Sequence, residues 1–304
     1  FDKSILEKTL LPKGFLEPEK CFYKNKLSFL KTGMAFSDAV TIPSTFKKIK
    51  SFSKPKDDFE HIVAVAKNLY DLPFGGDHNL WNPANNSSLF KPYSIEKYER
   101  RKANRETILE NKRINFSSEQ MILGILCENI RYQFKEVVNV LKAIKDIPLQ
   151  VLLVADESPN SIPALKNQIA KNDRQTIHTL ADPEDQFRHA FYTLCDMFYT
   201  PVSEDQLDIH YLNGIHYGTI PLVSKDRECS HAFEGIKPKS GGGEALIFTD
   251  EKELVKKIEE ALELYKETEK WQSLVFNAMR TDVSWNNVIP QVTKIYEKAF
   301  SRLK

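Results

Sequence analysis

Residues 121–156 read MILGILCENIRYQFKEVVNVLKAIKDIPLQVLLVAD, and this stretch decides the fold. Its first run (121–127) and its last run (149–156) are apolar and have the length of buried strands. Between them, KEVVNVLKAI (135–144) has the apolar period of a helix. A strand, a helix and a second strand in this order form a βαβ unit. Because the crossover helix carries the chain back to its starting edge, we expect the two strands to run parallel.

The same alternation continues towards the end of the chain. Strand-length apolar runs recur at TIHTLA (176–181), DMFYTP (196–201), TIPLVS (219–224) and EALIFTD (244–250). Segments of helical period also occur, namely IPALKNQIA (162–170), EDQFRHAFYTL (184–194) and KELVKKIEEALELY (252–265). The pattern predicts the α/β class, with one parallel sheet and helices on both of its faces.

The residues before about 118 follow a less regular pattern. We expect a helix at LSFLKTGMAF (27–36), a strand at AVTIP (39–43), a charged loop at KPKDDFE (54–60), a turn-rich connection at 71–88 and a charged helix at EKYERRKANRETILEN (96–111). The last element, SWNNVIPQVTKIYEKAF (284–300), is predicted to be helical. Pro290 should start or kink a helix there.

Length and charge limit the functions open to the chain. Its 304 residues are many for one hydrophobic core, which favours two domains. With 43 basic and 42 acidic residues, the net charge is +1. These totals give no electrostatic basis for binding nucleic acid or an anionic membrane.

The cysteines and the apolar runs indicate a soluble protein in a reducing compartment. Cys21, Cys127, Cys195 and Cys229 are far apart and lack metal-ligand spacing, so we expect reduced, mostly packed thiols. We expect neither a metal nor a cofactor. The apolar runs are all shorter than the about 18 residues that a membrane span needs, and the first residues do not have the order of a signal peptide.

Six segments, in the same order along the chain, resemble the glycogen and starch synthases, a glycosyltransferase family with the two-Rossmann-domain GT-B architecture. They are FLKTGMAFSDAVTIPSTF (29–46), GGDHNLWNPANN (75–86), YSIEKYERRKANRETI (93–108), NGIHYGTIPLV (213–223), GGGEALIFTDEKEL (241–254) and MRTDVSWNNVIPQVTKIYEKA (279–299). The resemblance implies a partial amino-terminal α/β domain with the interdomain connection (1–111). It further implies a Rossmann-like nucleotide-sugar domain (112–282) and a helix that crosses back (283–304).

The resemblance implies retaining transfer of glucose from a nucleotide sugar, ADP-glucose or UDP-glucose, to an α-1,4-glucan in the cytoplasm or plastid stroma. In this family a Lys/Arg pair neutralises the leaving diphosphate. By alignment of the helix after the first strand of the sheet, Lys135 takes the place of the family's lysine. Arg131, four residues earlier, is then a displaced partner. An ordinary charged pair on an exposed helix turn explains the same two residues.

A family glutamate that holds the donor ribose or sugar falls on Asp205. This alignment runs back without a gap from Tyr217 and Gly218, which match the family's Tyr-Gly pair and are assigned with it to the donor site. Glu204 is the neighbouring candidate after a slip of one residue. The alternative is that these acids cap a helix, whose first turn favours negative charge.

The loop after TIPLV departs from the family. Relatives have small residues and paired glycines there, whose amides face the diphosphate, whereas this chain has Lys225, Asp226, Arg227 and Glu228. Bulky side chains close such a backbone cradle, and two acids repel phosphate. Lys225 and Arg227 can still attract it through their side chains.

The second departure is length. The chain contains neither the first strand nor the KTGGL loop of the family's amino-terminal domain. We expect a fragment, a truncated relative, or the partner of a segment that supplies the rest. The alternative to a transferase is a catalytically inactive GT-B module used for glucan binding or protein assembly, and a generic doubly wound fold would carry no functional implication at all.

Other suggestive residues have plainer interpretations. His210 and His216 lie six residues apart and do not share a helix face, which favours ordinary surface histidines over a metal or acid–base site. We expect Trp81, Trp271 and Trp285 to be packed in the core and not to stack on sugars. The SGGG run (240–243) precedes a strand, so it predicts a flexible turn and not a phosphate loop.

Overall fold

The computed structural model describes residues 1–5, 8, 10, 17–43, 58–127, 130–155, 163–165, 167, 176–181, 185–201, 209–225 and 247–302. The chain divides into two compact units. Unit 1 comprises residues 1–74 and 286–304, and unit 2 comprises residues 75–285. Within the described residues, every helix is too short or too polar to cross a membrane.

The strands and α-helices of the described residues are numbered in chain order. The strands are β1 Phe22–Tyr23, β2 Lys26–Leu27, β3 Val40–Pro43, β4 Leu69–Leu72, β5 Ile122–Cys127, β6 Gln150–Ala155, β7 Thr176–Ala181, β8 Met197–Tyr199, β9 Ile220–Ser224 and β10 Ile247–Phe248. The helices are α1 Pro18–Cys21, α2 Phe29–Phe36, α3 Asp58–Val63, α4 Arg100–Asn111, α5 Ile130–Ala143, α6 Asp185–Leu194, α7 Ile209–Gly214, α8 Glu251–Lys266, α9 Thr268–Arg280 and α10 Ile289–Ser301.

Unit 2 is built around one parallel sheet. Its strand order is β10-β9-β8-β5-β6-β7, and each neighbouring pair runs parallel. All six strands were predicted from the apolar runs, so the predicted parallel sheet is confirmed. The first three strands along the chain, β5 to β7, form one half of the sheet, and the last three, β8 to β10, form the other half. This is the Rossmann arrangement.

Buried strands explain why these runs are apolar without alternation. Every residue of β5 and of β6 is buried, because both faces of the sheet are covered. Gly124 in β5 allows α6 to pack closely: a Cβ there would lie 2.5 Å from Cζ of Phe191 and 2.6 Å from Sγ of Cys195. The three described cysteines are buried thiols, as predicted, and Cys229 lies outside the described residues.

Unit 1 contains an antiparallel pair, β1 and β2, and a parallel pair, β3 and β4. The predicted helix at 27–36 is α2, whose first turn is capped by the hydroxyl of Ser28 accepting from the Lys31 amide at 3.2 Å. Pro290 stands in the first turn of α10, which confirms that it starts a helix.

The predicted charged loop at 54–60 is wrong for its last residues, because α3 begins at Asp58. An acidic residue favours a helix start, and the Asp58 carboxylate is also held by Tyr23 Oη at 2.7 Å and by Lys24 Nζ at 2.9 Å. Val63 at the end of this helix is buried. The apolar end of α3 and not its charged start therefore determines the local structure.

Candidate functional site

The sheet of unit 2 has a switch point between β5 and β8. Chain connections leave these two neighbouring strands towards opposite sides of the sheet, since β6 lies next to β5 and β9 lies next to β8. In open parallel sheets, such a point leaves a crevice outside the carboxyl ends of the strands, where ligands bind. Here the crevice lies beyond Cys127 and Tyr199, the last residues of β5 and β8.

Two side-chain contacts join the two sides of this crevice. Gln133, a fully buried residue of α5, donates from Nε2 to the carbonyl oxygen of Pro201 at 2.9 Å. One turn later, the carboxylate of Glu136 accepts a short hydrogen bond from Oη of Tyr199. The start of α5 is thereby fixed to the chain that leaves β8.

Lys135 lies between these two contact residues in sequence and is exposed on α5. Arg131 lies in the first turn of the same helix, and its side chain is outside the described part of the structure. A helix amino terminus attracts phosphate through its free amide groups and its dipole, and nearby lysines add charge. The amino-terminal half of α5 is therefore suited to an anionic ligand at the crevice.

Lys225 lies at the same edge of the sheet. It is exposed, directly follows β9, and donates its backbone N–H to the Phe248 carbonyl oxygen at 2.7 Å. Because β9 neighbours β8, the structure brings Lys135 and Lys225 to one edge. Three further candidates, Asp205, Glu204 and Arg227, lie outside the described residues.

Tyr217 and Gly218 lie at the other edge. They precede the first residue of β9, whereas Lys225 follows its last residue. The five residues of β9 span about 13 Å at 3.3 Å per residue. The structure therefore does not bring these two residues to Lys135 and Lys225. Gly218 instead ends a short 3-10 helix, Ile215–Tyr217, with a left-handed φ of 73°.

Tyr217 belongs to a polar network near the amino end of β9. Its Oη lies 2.6 Å from Nδ1 of His189 and accepts from Nδ2 of Asn86 at 3.2 Å. Its carbonyl oxygen accepts from Oη of Tyr93 at 2.9 Å. Burial raises the pKa of Tyr217 to about 12, so the phenol stays protonated at neutral pH. The network connects the WNPANN segment to α6 and to the start of β9.

The three tryptophans have different environments. Trp271 is buried, as predicted, and Trp81 is half-buried and stacks on the ring of His189 with centroids 4.4 Å apart. Trp285 is 40% exposed, so the prediction that it is a core residue is wrong. Its backbone instead lies against Gly75, where a Cβ would come within 2.5 Å of the Trp285 Cα. Backbone contact, and not burial of the indole, explains this position.

The prediction of surface histidines is also wrong. His210 is 3% exposed, and its Nδ1 lies 3.0 Å from Oη of Tyr192. His216 is half-buried, and its ring lies edge-on to His78 with centroids 3.8 Å apart. Helix α7 is buried along most of its length, so both of its sides receive packing partners that a surface helix lacks.

His216 should make the stability of the protein depend on pH. Burial, followed by the neighbouring His78, lowers the pKa of His216 from 6.5 to about 4, and Asp282 opposes this. His216 therefore becomes protonated below about pH 6.5 in the unfolded chain, but only below about pH 4 in the folded protein. We expect the unfolding free energy to decrease as the pH is lowered from 6.5 to 4, by up to about 1.4 kcal/mol per pH unit.

Urea unfolding at several pH values checks this expectation. The His216→Asn variant should show a shallower fall between pH 6.5 and 4 than the unmodified protein. Parallel pH profiles for the two proteins would contradict the role of His216.

A buried ionic cluster at the amino edge of the sheet was not predicted from the sequence. Asp196, which precedes β8, accepts from Nη1 of Arg105 at 2.9 and 3.0 Å and from the Ile122 amide at 2.8 Å. Arg101 lies one turn before Arg105 on α4, with Nη1 3.7 Å from the same carboxylate. All three ionic side chains are at least 90% buried. Two arginines at a spacing of four residues on a charged helix were the available signal.

The Rossmann strand order of unit 2 and the similarity of nearly the whole chain to solved structures define the fold class: the chain has the GT-B fold, as predicted. Among solved structures, the catalytic domain of starch synthase IV from Arabidopsis thaliana, bound to ADP and acarbose, is similar with a TM-score of 0.77 and 18% identity, covering 99% of this chain and 64% of that one. Sucrose-phosphate synthase from Thermosynechococcus elongatus gives 0.57 at 14% identity, covering 98% and 66%.

Among curated proteins, the chain resembles glycogen synthases over nearly its whole length, which confirms the resemblance seen in the motifs. It is 24% identical to glycogen synthase of Pseudothermotoga lettingae over 310 residues, covering 99% of this chain and 63% of the relative. It is 25% identical to that of Chlorobaculum tepidum, covering 92% and 59%. The chain thus spans less than two thirds of the length of these relatives. No protein-family model matches it.

Proposed function

We propose that this chain is the donor-binding part of a glycogen or starch synthase that transfers glucose, with retention, from a nucleotide sugar, ADP-glucose, to an α-1,4-glucan. The observation that carries the proposal is the switch point between β5 and β8, with Lys135 exposed on α5, the helix that follows β5. The similarity to glycogen synthases over 99% of the chain supports the same activity. A starch synthase of this fold has been solved with ADP and acarbose, a nucleotide and a sugar-like ligand.

We assign the residues as follows. Lys135 and Lys225 at the described edge, together with Arg131 and Arg227, stabilise the negative charge that develops on the departing diphosphate. Asp205, with Glu204 as the neighbouring candidate, holds the ribose or sugar of the donor. Tyr217 and Gly218 act at a distance, by fixing the start of β9. The nucleotide-sugar domain at 112–282, the crossing helix at 283–304 and a reducing compartment, cytoplasm or plastid stroma, belong to the same proposal.

We also propose that a segment on the same or another chain completes unit 1. A parallel sheet normally has both faces covered and more than two strands, whereas β3 and β4 are the parallel strands described in this unit. Its helices expose large apolar side chains, namely Phe29, Leu30 and Phe36 on α2 and Ile289, Tyr296 and Phe300 on α10. The occupant that fits is the third of the glycogen synthase sequence that this chain does not match.

Isothermal titration with ADP, ADP-glucose and UDP-glucose tests the donor site. Removing a charge-assisted contact to phosphate costs about 1.5 to 3 kcal/mol, so Lys135→Ala should weaken ADP binding about tenfold or more. Lys142→Ala is the matched control, because this exposed lysine lies at the other end of α5. Asp205→Ala should weaken binding of the sugar nucleotide as well.

The outcomes separate donor binding from transfer. We expect this chain alone to bind ADP-glucose but to transfer glucose to maltooligosaccharides only when the completing segment is added. If titration with any of these nucleotides at millimolar concentration released or absorbed no heat, the proposal of a donor site would be excluded. What remained would be the other interpretation of the sequence, an inactive GT-B module that binds glucan or assembles with other proteins.

A further inference from the structure

A cavity of about 600 Å³ opens in unit 2 at the amino edge of the sheet. It is lined by the start of α4, the turn before β5, Asp196 before β8, the end of α8 and the start of α9. Ligands of the switch point bind beyond the carboxyl ends of the strands. This cavity is at the opposite edge and is separate from the proposed donor site.

The charges lining the cavity do not balance. Four cationic side chains, Arg101, Lys102, Arg105 and Lys266, face three carboxylates, Glu99, Glu119 and Asp196. At its floor, two buried guanidiniums share one carboxylate: within the described part of the chain, Asp196 is the only acid within ion-pair distance of either arginine. A buried charge without a partner is costly, so this floor favours a second anion.

The arginines also retain hydrogen-bonding capacity. Nε of Arg101 and Nε of Arg105 are buried and have no acceptor among the described residues, although both side chains are more than nine-tenths buried. The Arg101 Nη1 donates to Oη of Tyr98 at 2.8 Å, so the Tyr98 hydroxyl proton is left to donate elsewhere. Tyr98 itself lines the cavity.

Exposed ion pairs and a second tyrosine also border the cavity. Lys102 pairs with Glu119 at 2.6 Å and Lys266 pairs with Glu263 at 2.6 Å, and all four side chains are largely exposed. Exposed pairs of this kind are weak and exchange partners at little cost. Tyr265 also lines the cavity, and its ring lies 5.3 Å from that of Trp271, edge to face.

We propose that this cavity is a binding site for a small oxyanion, a phosphate or carboxylate group, held by the Arg101 and Arg105 pair, the hydroxyls of Tyr98 and Tyr265, and Lys266. Phenol and ammonium groups donate to such an anion, and the uncompensated guanidinium charge attracts it. Because the anion would bind α4, α8 and the strand ends together, its binding stabilises the folded state of unit 2.

Inorganic phosphate is the probe, compared with sodium chloride at equal ionic strength. Phosphate should raise the Tm of the full chain above its value in chloride, and titration calorimetry should give a saturable isotherm. The rim variant Lys266→Gln should weaken phosphate binding about tenfold, as loss of a charge-assisted hydrogen bond does. The Tyr265→Phe variant should also weaken it.

Lys256→Gln is the matched control, since Lys256 lies on the same helix, pairs with Glu260 at 3.6 Å and does not line the cavity. Binding that is equal in the Lys266 and Lys256 variants would overturn the proposal. So would a phosphate effect that disappears in Lys135→Ala and persists in Lys266→Gln, because phosphate would then occupy the other edge of the sheet. Equal Tm values in phosphate and chloride would overturn it as well.

Discussion

Replacing Asp196 with alanine is expected to remove about 3 to 5 kcal/mol of unfolding free energy, because the variant leaves Arg101 and Arg105 buried without their counter-ion. The loss is larger than that of an ordinary hydrogen bond. Asp196 also accepts from the amide of Ile122, the first residue of β5, so the same substitution orphans a backbone donor in the centre of the sheet.

Urea unfolding followed by tryptophan fluorescence measures this effect. All three tryptophans of the chain belong to unit 2, so the signal reports on the unit that contains the cluster. The control is Glu260→Ala, which removes an exposed acid paired with Lys256 and Lys257 on α8 and should leave the midpoint unchanged. Similar midpoints for the Asp196 and Glu260 variants would show that the buried cluster contributes little.

Gly218→Ala is expected to cost about 2 to 5 kcal/mol of unfolding free energy. The backbone of Gly218 has a φ of 73°, a left-handed conformation that costs other residues about 1 to 2 kcal/mol. A Cβ would also lie 2.9 Å from Cγ1 of Val275 and 3.1 Å from Cε2 of Tyr98, and such overpacking adds about 1 to 3 kcal/mol. The Tyr-Gly pair of the family motif is thus explained by backbone geometry in this chain.

Gly76→Ala provides the comparison within the same unit. Its Cβ would make only ordinary contacts, the nearest at 3.5 Å from the Val283 carbonyl oxygen, so we expect a change within about 0.5 kcal/mol. The same fluorescence-detected urea titration compares the two variants. A loss at Gly76 as large as that at Gly218 would refute the conformational argument.

The parallel sheet could be predicted because its strands are buried on both faces. Such strands appear in the sequence as uninterrupted apolar runs, and the six runs differ clearly from the amphipathic segments. The strand order follows less directly, because pairing between β5 and β8 joins residues far apart in the chain. The family resemblance supplied what periodicity alone did not.

The candidate site could be predicted only in part. The family resemblance predicted Lys135 as a site residue from its position after the first strand of the sheet, whereas the contacts of Gln133 and Glu136 with the end of β8 depend on strand order. The sequence places Tyr217, Gly218 and Lys225 close together along the chain, but β9 separates the first two residues from the third and puts them at opposite edges of the sheet. Burial of His210 on α7 and of His216 just after it depends on the elements packed around residues 209–217, and a local sequence pattern does not contain that information.

The buried ionic cluster also has a consequence for the order of events during synthesis. Arg105 and Asp196 are separated by 91 residues. At about 5 to 20 residues per second, the arginines of α4 leave the ribosome roughly 5 to 18 seconds before the carboxylate that neutralises them. Helix α4 therefore cannot dock in its final, charge-neutralised position until β8 has been made. The last half of the sheet determines when the first helix of unit 2 is secured.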